Sequence, residues 1–202
     1  MAMHGNSTDS SFSARIVKCA LALSVALLLS FTHPATVLAG PVFTATLEGT
    51  QEVPPNASTA TGEAVFTFND ELSELSYELS VFGLFNITMA HIHLAPAGVN
   101  GPVVLWLYPD GPPAQQIPGE TNGLFASRTV TWEDLVGSLL NEPLSALYAE
   151  MLAGNTYVNI HTVAYPAGEI RGQIILVPEP ATLPMAATGL LMLLMLRRRR
   201  HG

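Results

Sequence analysis

The residues best suited to chemistry in this chain are three interior histidines. Six histidines occur, of which His4, His33 and His201 lie near the ends, whereas His91, His93 and His161 fall in the interior. His91 and His93 are two positions apart, with Ile92 between them. Side chains alternate along a β-strand, so on a strand both leave the same face, with Met89 beside them. In the stretch 157–162, Tyr157, Asn159 and His161 share one face and Val158 and Ile160 take the other. If the two segments are neighbours, three imidazoles converge. By the same rule Glu169, Arg171 and Gln173 share a face, and Glu169 offers a carboxylate. Imidazole suits zinc, copper and iron, and a carboxylate extends the choice to manganese. The candidate metal ligands are therefore His91, His93, His161 and Glu169, and the candidate ions are Cu, Mn, Fe or Zn. Each residue also has a plainer role. The histidines can bond loop carbonyls and fix turns, and Glu169 can form an exposed ion pair with Arg171, worth little.

A faint internal echo accompanies the histidines. His93 precedes Pro96-Ala97-Gly98, and His161 precedes Pro166-Ala167-Gly168. Each Ile-His strand end leads into a Pro-Ala-Gly turn, and two such hairpins could pair about a pseudo-twofold axis. Pro-Ala-Gly is a common turn, so the echo carries little weight.

The segments that must position these residues are short, alternating and punctuated by Gly, Pro and Asn. They predict strands over 42–47, 62–68, 75–82, 88–94, 103–108, 124–131, 157–162 and 169–176. Between 132 and 152 the pattern changes. Leu135, Val136, Leu139 and Leu140, then Leu144, Leu147, Tyr148, Met151 and Leu152, recur at three and four, a helical period. Thr131 with Asp134 offers an N-cap, Pro143 suits the first turn of a second helix, and Gly154 a stop. The expected fold is all-β: an antiparallel sandwich or barrel, immunoglobulin-like or superoxide-dismutase-like in style, crossed by one or two short helices whose apolar residues join the core.

Charge and cysteine usage exclude several function classes. Between residues 40 and 177 the only basic residues are Arg128 and Arg171. The chain's 16 acids, less Asp9 and Glu179, leave 14 there, for a net charge of −12. Such a field repels phosphate backbones, which argues against a nucleic-acid partner, and it favours cations. The single cysteine, Cys19, lies outside this stretch, so the domain has neither a disulfide framework nor thiolate metal ligands. No phosphate loop, HExxH, GxSxG or EF-hand loop occurs.

The two ends read as addresses rather than as fold. Arg15 and Lys18 precede the apolar run Cys19 to Phe31, and Val37-Leu38-Ala39 supplies small residues before Gly40. This is the pattern of a signal peptide over 1–39, cut between Ala39 and Gly40 by signal peptidase. At the other end Pro178-Glu179-Pro180 precedes an apolar stretch from Thr182 to Leu196 and then Arg197, Arg198, Arg199 and Arg200. The stretch 178–202 resembles the PEP-CTERM sorting signal of Gram-negative bacteria, with its three parts in order. The resemblance implies an apolar helix that enters the inner membrane transiently. Its arginines stay cytoplasmic, and Pro-Glu-Pro is left outside for an exosortase-type protease. Both terminal helical segments are then removable, and the mature protein is exported to the cell surface or beyond.

The interior carries a second resemblance. Ala45-Thr46-Leu47-Glu48-Gly49 followed by Gln51-Glu52-Val53-Pro54-Pro55 is similar to the opening of a CHRD domain, the module named from chordin. Ala90-His91-Ile92-His93 with Gly101-Pro102-Val103-Val104 continues the likeness. So do Tyr157 to Thr162 and the run from Tyr165 to Gln173. Together these blocks cover the domain 40–177. The resemblance implies a β-rich extracellular module without a shared catalytic mechanism. The expected function is binding or structural, with the three histidines as a candidate metal site and an extracellular polysaccharide or surface protein as partner. The alternative is a metal-dependent redox enzyme of superoxide dismutase type built on the three histidines.

Overall fold

A computed structural model describes residues 40–178. The expected signal peptide through Ala39, and Glu179, Pro180, the apolar tail and Arg197–Arg200, lie outside the described residues. Gly40 and Pro178 stand at the two described ends.

Within these bounds the fold is a closed antiparallel barrel with added strands. β1 (Val42–Glu48), β2 (Thr61–Phe68), β3 (Leu75–Leu94), β6 (Thr156–Thr162) and β7 (Ile170–Gln173) form the ring, which closes where β1 meets β7. β4 (Val103–Tyr108) and β5 (Ile117–Val130) pair with the outer edge of β3, and β8 (Ile175–Leu176) pairs with β1. Alternation places Phe43, Phe66, Phe68, Leu79, Ile92 and Ile160 in one continuous apolar core. Closure leaves the ring strands no free edge, which removes the usual route to strand-to-strand aggregation there.

β3 does more than any other element to position the site. The sequence predicts two strands broken near Gly83 and Asn86, but the chain runs through as one strand of 20 residues. Its first half pairs with β2 on one edge and β5 on the other, and its second half pairs with β6 and β4. Gly83 and Asn86 both have positive φ and sit at register shifts, so they bulge and bend the strand instead of ending it. The bulges also change the strand's phase. Leu75, Tyr77, Leu79 and Val81 point into the core, but then Leu84, Ile87, Ala90 and Ile92 do. A net one-residue slip flips every later side chain to the opposite face. Odd-numbered Met89, His91 and His93 therefore leave the barrel wall on the side away from the apolar core.

The helical reading of 132–152 is half right. Leu144–Leu152 is an α-helix, α1, with Pro143 at its N-cap and Gly154 in the left-handed region just beyond its end. The first expected helix is instead two 3-10 turns, Trp132–Asp134 and Gly137–Leu139. Leu135 bridges to Leu105 and the Val136 amide donates to Val104, so pairing with β4 displaces the helix. Gly137, with φ of 60°, breaks the run. Thr131 and Asp134 do form a capping box, on the first 3-10 turn. Leu135, Leu139, Leu144, Leu147 and Met151 are buried, whereas Leu140 and Leu152 are exposed rather than core.

Candidate metal centre

The outer face of β3, β6 and β7 is a second, polar interior. Met89 stands opposite His161, His91 opposite Asn159, and His93 opposite Tyr157 across β3 and β6. On the next strand Asn159 faces Arg171 and Tyr157 faces Gln173. Opposed residues in an antiparallel ladder share a face, so these side chains form one layer. Loops roof it. Arg171 donates to the Val99 carbonyl (2.9 Å), the Asn100 side-chain oxygen (3.1 Å) and the Pro96 carbonyl (3.4 Å). Asn100 in turn donates to the Val53 carbonyl, and Asn56 to Glu169 O. Beneath this roof His91, Asn159, His161 and Arg171 are buried, and His93 is partly so.

The three histidines predicted from the sequence are brought together. One nitrogen from each of His91, His93 and His161 lies within 4.8 Å of one from each of the others. Two of the rings have their tautomer set by the backbone. His93 Nδ1 lies 2.9 Å from the Gly101 carbonyl and His161 Nδ1 lies 3.0 Å from the Pro166 carbonyl. A carbonyl only accepts, so each Nδ1 carries its proton and each Nε2 keeps its lone pair. His91 Nδ1 is 3.3 Å from His161 Nε2 and donates to that lone pair when no ion intervenes. The Nε2 atoms of His91 and His93 are then buried without a hydrogen-bond partner. Buried polar atoms normally find partners, and an orphaned pair of lone pairs beside a third imidazole fits an ion. Metal-ligating histidines characteristically donate their other N–H to a carbonyl, as His93 and His161 do here. The nitrogens that fix the turns are thus different from those left free to meet an ion in the same two rings.

The echo between the two hairpins takes on a physical meaning in this geometry. In each, the histidine at the strand end donates to a carbonyl of the turn that follows, with Gly98 and Gly168 at positive φ in those turns.

Electrostatics keep the imidazoles neutral, the state that binds a cation. Burial pushes His91 down to about 3, with His161 and His93 adding to the shift. Burial also takes His93 down to about 4, against the opposing bond to Gly101. His161 is lowered by burial too, against its bond to Pro166. His93 stacks on Tyr157 with ring centroids 4.9 Å apart, and the Arg171 guanidinium lies 3.4 Å from the same ring's centroid. The indole of Trp106 meets His91 edge-on at 4.2 Å.

Glu169 does not join the cluster. One of its carboxylate oxygens accepts from Ser58 (2.7 Å) and the other from Thr162 (2.6 Å). Thr162 alternates with His161 on β6, so those bonds draw the carboxylate away from the imidazoles. The expected exposed ion pair with Arg171 is absent as well, because both side chains are buried and the guanidinium is spent on the loop. Sequence reasoning missed the carboxylate that does lie in this layer, Glu52. It is buried, accepts from Asn159 at 3.4 Å, and has its other oxygen unpartnered. Burial pushes it up to about 7 despite the pull of Arg171. Glu52 stands just before Val53-Pro54-Pro55, which reads as a rigid turn. Nothing local announces that the loop folds back over β6 and β7.

Comparison with known proteins agrees with this architecture. The family model of the CHRD domain matches residues 43–174, a span that takes in the ring from the second residue of β1 onward, the roofing loops and all three histidines. No curated protein matches the chain. The match covers well over half of the sequence, and the chain belongs to the CHRD domain family.

Proposed function

We propose that this protein is a metal-binding CHRD module that works outside the cell as a binding or structural unit. His91, His93 and His161 hold one transition-metal ion, drawn from Cu, Zn, Fe and Mn. The observation that carries the reading is the pairing of a buried three-imidazole cluster with backbone carbonyls that lock two of its members in the ligating tautomer. An ion held there ties β3 to β6 and fixes the roofing loops, so it supplies rigidity to the face that carries those loops. The surrounding charge of −12 favours arrival of a cation. One equivalent of metal retained by the purified protein, and lost when the three histidines are replaced, is the expected result.

A redox role of superoxide dismutase type uses the same three ligands and is the second reading. The buried cluster and the negative field both work against entry of an anionic substrate. Dismutase activity in the metal-loaded protein that disappears with the histidines would establish it over the structural role.

Export and sorting belong to the same proposal and rest on the terminal sequences. Signal peptidase removes 1–39, and an exosortase-type protease acts at Pro178-Glu179-Pro180, leaving the domain free to meet a surface polysaccharide or protein. Fractionation of expressing Gram-negative cells is expected to yield an extracytoplasmic form lacking Arg197–Arg200. Full-length protein held in the inner membrane contradicts the sorting assignment.

A further inference from the structure

The three histidines leave a fourth donor position, and the strand ladder supplies a candidate for it. Met89 stands directly opposite His161 across β3 and β6, two residues before His91. Its side chain therefore leaves the same face as the imidazoles. Opposed Cβ atoms in such a ladder are about 5 Å apart, within the sweep of an unbranched thioether. Met89 is half-buried at the margin of this polar layer rather than packed in the apolar core.

The charge at the site bears on which ion fits. Every donor in the cluster is neutral: Glu169 is committed to Ser58 and Thr162, and Glu52 turns to Asn159. The Arg171 guanidinium lies 3.4 Å from the centroid of the Tyr157 ring on which His93 stacks, so one positive charge already stands beside the cluster. The cost of burying an ion grows with the square of its charge, so a dication without a carboxylate is penalised far more than a monocation. Among first-row ions the monocation that prefers imidazole and thioether donors is Cu(I).

We infer that Met89 is the fourth ligand and that the site takes Cu(I) in preference to divalent ions. The inference rests on the three-histidine reading and narrows it to one ion and one further residue. It is tested by anaerobic titration of Cu(I) against a chromophoric Cu(I) chelator, alongside a Zn(II) titration, for wild type and Met89→Leu. Leucine keeps the volume and apolar character at a half-buried position, so the fold is retained, and circular dichroism checks this. The wild type is expected to bind one Cu(I). Met89→Leu should weaken Cu(I) binding by about tenfold or more while Zn(II) affinity stays within about threefold. X-ray absorption should show a sulfur neighbour of copper in the wild type that is missing from the variant. An unchanged Cu(I) affinity, or an equal loss for both ions, overturns the role of Met89. A wild type that prefers Zn(II) overturns the choice of ion but leaves the three-histidine centre standing. Binding of neither ion overturns both.

Discussion

Lowering the pH from 7 to 4 is expected to destabilise the metal-free protein through its buried histidines. Imidazoles titrate near 6.5 in an unfolded chain, whereas burial holds His91 at about 3 and His93 at about 4 in the fold. The sign follows directly. Below pH 6.5 the unfolded state binds protons that the native state refuses, so this contribution to stability is complete above pH 6.5 and is lost as the pH falls toward the folded values. Each pH unit in that window costs up to about 1.4 kcal/mol per histidine. His93 alone loses roughly 3 kcal/mol by pH 4, against a total stability of about 5–15 kcal/mol for a typical domain. Glu52 opposes the trend. Its folded value of about 7 lies above the unfolded one, so it stabilises below about pH 4.5 and loses that effect as the pH rises to 7. One carboxylate does not offset three imidazoles, and the net slope is downward toward acid. Urea denaturation at pH 7, 6, 5 and 4 should show it. A variant with the three histidines replaced by asparagine should lose the downward slope and keep only the opposing rise from Glu52 toward acid, and a flat wild-type profile contradicts the burial argument.

Arg171→Met is expected to cost about 3–5 kcal/mol, the largest effect of any single substitution among the residues of this layer. Arg171 is 1 % exposed, and its guanidinium serves two loop carbonyls and the Asn100 side chain while lying against Tyr157. Methionine keeps the apolar stem but leaves those acceptors dry and unpaired, at about 1–3 kcal/mol for each acceptor that cannot find water. It also removes the one charge that pulls Glu52 down. The roofing loop 95–101 carries the Gly101 carbonyl that sets the His93 tautomer, so metal affinity should fall with stability. Chemical denaturation measures the first effect. A loss below about 1 kcal/mol would mean that water replaces the guanidinium in the loop.

What the sequence made legible, and what it hid, divides along local against long-range physics. β4 was read from its own residues, and β1, β2 and β6 to within one residue, because period-two alternation is local. So was the convergence of His91, His93 and His161, which needed only the alternation rule and one assumed strand pairing. The unity of β3 was hidden because Gly83 and Asn86 signal a turn in isolation, and only the pairing partners on both edges reveal bulges. The 3-10 turns near Leu135 were hidden for a related reason. Bonds to β4 outweigh a weak helical preference, and those bonds are long-range. β5 was read short because Pro118 to Gly123 looks like a turn, although it pairs with β3 as an outer strand. That Glu52 rather than Glu169 lies in the layer of the histidines was hidden for the same kind of reason: which face a loop carboxylate meets is decided by how the loop folds back over the sheet.

The most direct test of the metal centre is elemental analysis of the protein purified after metal loading and extensive desalting, in two forms. One is wild type; the other carries His91→Asn, His93→Asn and His161→Asn. An asparagine side-chain amide reproduces the Nδ1–H donation to the Gly101 and Pro166 carbonyls, so the turns stay tied while the imidazole nitrogens proposed as ligands disappear. The predicted result is about one equivalent of transition metal per wild-type chain, and close to none in a folded triple variant. A wild type that retains no metal, or a triple variant that retains as much, would contradict the assignment and leave these histidines as the fasteners of two turns.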